Sequence, residues 1–324
     1  MSEPALLQVR GLSKRFPLRG GFFSRTRGWV SAVDDVSFEI RERETLGLVG
    51  ESGSGKTTIG RMIVRLVEPT TGDVCFRGEE IVSLRGAALR GLRRQLQIVF
   101  QDPYGSLNPR WTVGASVEEG LIVHGIGTRT ERRERVREAF ARVGLDPADL
   151  GRHPHEFSGG QRQRVGIARA LILGPRFIVC DEPVSALDVS VQAQILNLLE
   201  DLQAERGLSY LFISHDLAVV ERVSHRVAVL LHGKIVESAP ARELSRSPLH
   251  PYTQALYAAA PSLKRPMAAT IPLSEASPSA SAAATGCSFH PRCPIARDIC
   301  RTVAPPLVDH AGHQVACHAV ERKT

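Results

Sequence analysis

The stretch Gly50-Glu51-Ser52-Gly53-Ser54-Gly55-Lys56-Thr57-Thr58 constrains this chain more than any other. It fits the phosphate-cradling pattern G-x-x-x-x-G-K-[ST]. The apolar run Thr45-Leu46-Gly47-Leu48-Val49 before it reads as a buried strand, and Ile59 to Leu66 after it carries helical apolar spacing. Strand, glycine loop and helix are the context the pattern needs. The glycines let backbone N–H groups turn inward around phosphates, and the helix N-terminus adds a partial positive charge there. In such a loop Lys56 reaches the β- and γ-phosphates of a nucleotide, and the Thr57 hydroxyl ligates Mg²⁺.

The remainder of the chain alternates strands and helices. Ala32 to Ile40 alternates like a strand and leads toward the loop, while residues 17–30, rich in Gly, Arg and Phe, read as a loop. Residues 8–16 read as an edge strand with its following turn. Gly72 to Gly78 reads as a turn and strand, a basic helix follows, and Leu96 to Phe100 reads as another strand ending at Gln101. Thr130 to Val143 places Val136, Ala139, Phe140 and Val143 at helical spacing, and its Arg/Glu run is most simply a solvated face. Ser158 is placed to cap a helix beginning at Gly159 and Gly160. Phe177 to Cys180 is an apolar strand closed by Asp181 and Glu182, a helix covers Val191 to Ala204, and Tyr210 to Ile213 is a strand ending at Ser214-His215-Asp216. Val227 to Leu231 and Lys234 to Glu237 form a hairpin about His232-Gly233. This order implies an α/β protein with a mainly parallel sheet covered by helices. Residues 266–285, almost all Ala, Ser, Pro and Thr, read as a linker.

Strand ends at one edge of a parallel sheet are where such folds bind ligands. Four strand ends here carry the phosphate loop, Gln101, Asp181-Glu182 and His215. An acid in the position of Asp181 holds Mg²⁺, and a neighbouring carboxylate such as Glu182 polarises an attacking water. The two acids also suit the N-cap of the next helix. Gln101 is placed to touch Mg²⁺ and the water, and His215 to bond the γ-phosphate. Phe16 could stack on an adenine ring, or simply pack.

These residues together resemble the ATP-binding subunit of an ATP-binding cassette (ABC) transporter over residues 8–240. Gly50–Thr57 resembles the family's Walker A segment, Phe177–Asp181 its Walker B, and Gln101 its Q-loop glutamine. Phe157-Ser158-Gly159-Gly160-Gln161 resembles its signature, with Phe where many members have Leu. Ser185-Ala186-Leu187-Asp188 resembles its D-loop, His215 its switch histidine, and Phe16 its adenine-stacking aromatic. The resemblance implies a P-loop NTPase (RecA-like) core, an N-terminal antiparallel β subdomain and an inserted helical subdomain at about 104–170, all within residues 1–240. It further implies ATP with Mg²⁺ held by Thr57, Gln101 and Asp181, and catalysis by Glu182 as general base with His215, Gln101 and Lys56. The nucleotide would contact Phe16, Gly50 to Thr58 and Asp181. The Ser158, Gly159, Gly160, Gln161 and Asp188 of a second chain would close on it, so that a monomer hydrolyses ATP poorly.

Gln101 to Arg110, His250 to Leu256 and Gly286 to Pro294 are similar to the dipeptide/oligopeptide importer ATPases, particularly the F-type, with residues 241–324 as that subfamily's C-terminal extension. This implies a related D-type ATPase as heterodimer partner, two transmembrane permease subunits and, indirectly, an extracytoplasmic solute-binding protein. It also implies a peripheral location on the cytoplasmic face of the inner membrane. Nickel and glutathione importers use similar ATPases and form the alternative. No apolar run is long enough to span a bilayer, and residues 1–7 carry no signal-peptide pattern.

A nucleic-acid-associated ABC ATPase is a further alternative, kept open by a net charge of +7. Chromosome and repair ATPases place long insertions between Walker A and signature. Ser158 follows Lys56 by only 102 positions, which leaves no room for one, so no nucleic-acid partner is expected. Cys287, Cys293, Cys300 and Cys317 are spaced C-x₅-C-x₆-C-x₁₆-C, without the tight C-x₂-C of most structural zinc sites. Four thiolates suit a [4Fe–4S] cluster, and the subfamily resemblance points the same way. Zinc, with His290 and His318 as spare ligands, and four unbonded thiols are the other readings.

Overall fold

Three five-residue apolar segments become strands with every residue buried: Thr45–Val49, Phe177–Asp181 and Ser209–Ile213. Such continuous runs, rather than alternating ones, mark strands covered on both faces. The computed structural model describes residues 5–20, 25–259 and 285–320. In chain order its elements are β1 (Ala5–Gly20), β2 (Arg25–Arg41), β3 (Thr45–Val49), α1 (Lys56–Ile63), β4 (Thr71–Phe76), β5 (Glu79–Glu80), α2 (Gly86–Gln95) and β6 (Leu96–Val99). Then follow α3 (Val113–Val123), α4 (Arg129–Arg142), α5 (Gly159–Leu171), β7 (Phe177–Asp181), α6 (Val189–Arg206), β8 (Ser209–Ile213), α7 (Leu217–Val223), β9 (Arg226–Leu231) and β10 (Lys234–Pro240). The last are α8 (Ala241–Arg246), α9 (Pro251–Ala259), α10 (Ile299–Thr302), β11 (Val308–His310) and β12 (His313–Val315).

The chain divides into two compact units. The first comprises residues 1–40, 45–82 and 214–324. It holds an antiparallel sheet of order β2-β1-β4-β5, whose inward residues include Leu7, Val9, Val36 and Val74. It also holds the strands β11-β12-β10-β9-β3. Only the β3/β9 pair among these is parallel, with Leu46 opposite Arg226 and Val49 opposite Val229. The second unit comprises residues 41–44 and 83–213. There β6, β7 and β8 pair in parallel, and α3, α4 and α5 pack together over Val117, Leu121, Val136, Phe140 and Val165. Thr112 caps α3, and Thr128 with Glu131 forms a capping box on α4. No helix among the described residues is long and apolar enough to cross a membrane.

Two expectations need correction. Residues 8–16 belong to a strand lying inside its sheet, between β2 and β4, and not at the edge. The region 17–30 is not a loop on either side of residues 21–24, because β1 continues to Gly20 and β2 starts at Arg25. Pairing between two long neighbouring strands overrides the weak strand preference of Gly and Arg there. Residues 21–24, and the linker expected at 266–285 up to residue 284, lie outside the described residues.

A buried carboxylate, Glu237 on β10, ties the last third of the first unit together. It is fully buried and accepts the Leu249 N–H at 2.6 Å and the His250 N–H at 3.1 Å. His313 Nε2 on β12 lies 2.7 Å from its Oε1. Glu237→Gln would turn an –NH₂ donor toward donors. We expect a loss of about 1–3 kcal/mol in stability by urea unfolding, and an unchanged midpoint would show that Glu237 anchors nothing.

Candidate active site

The turn from β3 into α1 needs glycine for two separate reasons. Gly55, the N-cap of α1, has φ 108° and Gly50 has φ 154°, in the region L side chains avoid. There is also no space. A Cβ on Gly55 would lie 2.3 Å from the Ala32 carbonyl oxygen, and one on Gly50 would lie 2.1 Å from that of Leu230. Gly55, as N-cap of α1, makes no side-chain hydrogen bond, and the N–H donors at a helix N-terminus suit an anion. Lys56 is buried, and its Nζ donates to the carbonyls of Gly50 at 2.7 Å and Glu51 at 2.9 Å. Ser52 and Gly53 are exposed at the tip, while Ser54 is buried and its carbonyl accepts from Gly233 N–H at 2.9 Å. Thr57 and Thr58 follow Lys56 on the first turn of α1 and are half-buried.

The first unit also carries Phe16 and His215. Phe16 is exposed, with Lys14 Nζ 5.2 Å from its ring centroid. His215 is exposed, between Ser214 and the Asp216 that caps α7 through the Ala218 and Val219 N–H groups.

The second unit brings Gln101 and Glu182 together. Gln101 Nε2 donates to Glu182 Oε2 at 2.9 Å. Glu182 has φ 47°, a left-handed conformation for a residue that is not glycine. Its N–H donates to the Ile213 carbonyl at 2.9 Å and its carbonyl accepts from Ser185 Oγ. The left-handed Glu182 follows the buried Asp181 directly at the end of β7. Asp188 caps α6: its Oδ1 accepts from Ser190 Oγ at 2.7 Å and Val191 N–H at 3.0 Å. The Ser190 hydrogen bond first, then that of Val191, holds its carboxyl below the usual range. Ser158 caps α5 in a reciprocal box with Gln161, as its residue type suggested. Gly159 and Gln161 are exposed, and Gly160 is buried where a Cβ would lie 2.4 Å from Val191 Cγ1.

Cys287, Cys293, Cys300 and Cys317 are all described. The Cys287 N–H donates to the Cys300 carbonyl at 2.8 Å. Burial pushes the Cys287 and Cys293 thiols up, and the other cysteines of the set add to the shift. Among the described residues no group of three or more His, Cys, Asp or Glu is placed to hold a metal ion. His318, expected as a spare ligand, instead lies 3.0 Å from the Val303 carbonyl through Nε2. The ligand set expected from the spacing is not assembled in this arrangement.

Two residues absent from the expected site touch the phosphate loop. Tyr252 and Arg292 both bond Glu51, from 201 and 241 positions away. Both lie in segments whose subfamily resemblance was visible, but no local spacing in the sequence links them to the loop.

Residues 33–185 match a family model described as ABC transporter, and residues 236–300 match one described as oligopeptide/dipeptide transporter, C-terminal region. The chain is 50% identical to the oligopeptide transport ATP-binding protein AppF of Bacillus subtilis, covering 98% of each. It is 58% identical over 80% of its length to 41% of the glutathione import ATP-binding protein GsiA of Salmonella paratyphi A. Its fold resembles that of the ATP-binding cassette MJ0796, solved as a dimer in a post-hydrolysis state with ADP and Pi. The TM-score is 0.65 and the identity 30%, over 73% of this chain and 99% of that one.

The two reasons for glycine can be separated by substitution. At Gly53, φ is 79° but nothing lies within 4 Å of an added Cβ. Gly53→Ala should cost about 1 kcal/mol, from backbone strain alone. Gly55→Ala meets a carbonyl as well and should exceed it by at least about 2 kcal/mol in denaturant melts. Equal losses at both positions would refute the steric account.

Proposed function

The chain belongs to the ABC transporter ATP-binding family, and on that premise we propose that it is the ATP-hydrolysing subunit of an importer of di- and oligopeptides. The observation that carries the reading is the presence, on one chain, of the cassette region and the oligopeptide/dipeptide extension. Residues 1–240 serve as the ATP-binding domain, with about 104–170 as its helical subdomain, and 241–324 as the extension.

In this reading the N–H groups at the start of α1 receive the phosphates. Lys56 exchanges the carbonyls of Gly50 and Glu51 for β- and γ-phosphate oxygens. Thr57, Gln101 and Asp181 would hold Mg²⁺, which neutralises charge on the phosphates when bound. Glu182 accepts a proton from the attacking water, and the Gln101 amide, already bonded to its Oε2, orients that carboxylate. His215 donates to the γ-phosphate and Phe16 stacks on adenine. Ser158, Gly159, Gly160 and Gln161, with Asp188 nearby in sequence, act on the nucleotide of a second ATPase chain, a D-type partner.

Two permease subunits, served by a solute-binding protein, would receive the work of hydrolysis. A groove of about 470 Å³ lined by Trp111, Ala115, Glu118, Ile122 and Val123 supports docking on the second unit, beside the expected Tyr104–Arg110 segment. Trp111, Ile122 and Val123 are exposed. The chain then sits peripherally on the cytoplasmic face of the inner membrane. Glutathione import is the second reading, favoured by the likeness to GsiA. Co-purification with the permease, followed by transport assays with each solute, separates the two.

Glu182→Gln should retain ATP binding, lower turnover by about a hundredfold or more, and accumulate a closed ATPase pair on size exclusion. Undiminished turnover would remove Glu182 as the base. For the extension we propose a [4Fe–4S] cluster on Cys287, Cys293, Cys300 and Cys317, supported by four cysteine donors within one short segment and by the Cys287 N–H donating to the Cys300 carbonyl. Anaerobically purified full chain should contain iron and acid-labile sulfide in near-equal amounts, whereas stoichiometric zinc or no metal would overturn it.

A further inference from the structure

Glu51, the first variable position of the phosphate loop, is held by three of its groups at once. Its backbone carbonyl accepts from Lys56 Nζ at 2.9 Å. Its backbone N–H donates to Tyr252 Oη at 3.0 Å. Its carboxylate takes both prongs of Arg292, Nη1 to Oε1 at 3.0 Å and Nη2 to Oε2 at 3.4 Å. Two of these holds therefore come from the C-terminal extension.

The holding residues are themselves rigid. Tyr252 and Phe289 are fully buried with ring centroids 5.5 Å apart, and the Arg292 guanidinium lies 6.0 and 5.3 Å from those rings. The Tyr252 N–H donates to His250 Nδ1, and the His250 N–H donates to the buried Glu237. Arg292 closes a turn in which the His290 N–H donates to the Cys287 carbonyl and its own N–H to that of Phe289. Its side chain is 15% exposed and that of Glu51 33%, so the two-pronged pair is partly withdrawn from water.

A carboxylate inside a phosphate loop opposes the polyanion the loop is built to receive. Arg292 neutralises it and keeps it turned toward the extension. Tyr252 takes up the Glu51 N–H, which sets the direction of that peptide. Together they fix both the charge and the course of the loop before any nucleotide arrives. We propose that Arg292 and Tyr252 are positioning residues for nucleotide binding, and that the extension is a strap setting the affinity of the phosphate loop. The inference rests on the nucleotide-binding reading above. Because coupling is reciprocal, nucleotide on the loop must in turn stabilise the strap.

The full chain with Arg292→Met should bind Mg-ATP about 5- to 30-fold more weakly, with kcat at saturating ATP within about twofold of wild type. Arg292→Lys should recover part of the loss. Glu51→Gln added to Arg292→Met should recover more, since it removes the carboxylate left without its partner; a purely structural Arg292 would show no such rescue. If Arg292→Met does not fold, Tyr252→Phe, which keeps the ring, should weaken binding about threefold. In wild type, Mg-ATP should slow hydrogen exchange at the amides of residues 287–300. Unchanged affinity in the variants while wild type binds ATP, or exchange at 287–300 indifferent to Mg-ATP, would overturn the strap. A wild-type chain that does not bind ATP would instead overturn the reading on which it rests.

Discussion

Two backbone carbonyls decide where the phosphate loop can run. Leu230, at the inner end of β9, and Ala32, on β2, present oxygens within 2.1 and 2.3 Å of where a Cβ would stand on Gly50 and Gly55. The loop is thus threaded between two strands of the first unit, and a third support comes from the Gly233 N–H on the Ser54 carbonyl. The β9–β10 hairpin, which the sequence shows only as a hairpin, is part of the scaffold of the nucleotide site. A loop so confined presents its N–H donors with little further reorganisation, which is what an anion site needs.

Local order was legible where a residue's neighbours in sequence are also its neighbours in space. The apolar run into Gly50, the cap at Ser158 and the acid-closed strand at Asp181 carry their own signals within a few positions. Strand neighbours are chosen by distant segments. Residues 8–16 looked like an edge because nothing nearby announces that β4, some sixty positions on, covers that side. Residues 17–20 and 25–30 looked like a loop because Gly and Arg are poor strand formers, yet β1 and β2, neighbours in one sheet, include them.

The same limit hid the strap and exposes the weakness of reading a cluster from spacing. Tyr252, Arg292 and His313 each act on a partner far away along the chain: Glu51 for the first two, Glu237 for the third. Spacing supplied four cysteine donors but could not supply their convergence. Among the described residues no group of three or more His, Cys, Asp or Glu is placed to hold a metal ion. Apart from those thiols, buried rings and an arginine fork tie the extension to the loop.

Ser158 and Asp188 show how hydrogen-bond inventory limits what a cap can also do. Ser158 Oγ accepts the Gln161 N–H, yet a hydroxyl keeps its own proton and a second lone pair. It can cap α5 and still donate to a phosphate oxygen of a partner's nucleotide, so the two duties are compatible. Asp188 is different. Its carboxyl is held below its ordinary range by Ser190 and Val191, so near neutral pH it has no proton to donate. A bare carboxylate cannot bond a phosphate directly without repulsion. Asp188 can influence a nucleotide only by holding the start of α6, by binding water, or by accepting a donor from the facing chain. In the proposed site Asp188 would therefore orient, while Ser158 would touch the phosphate itself.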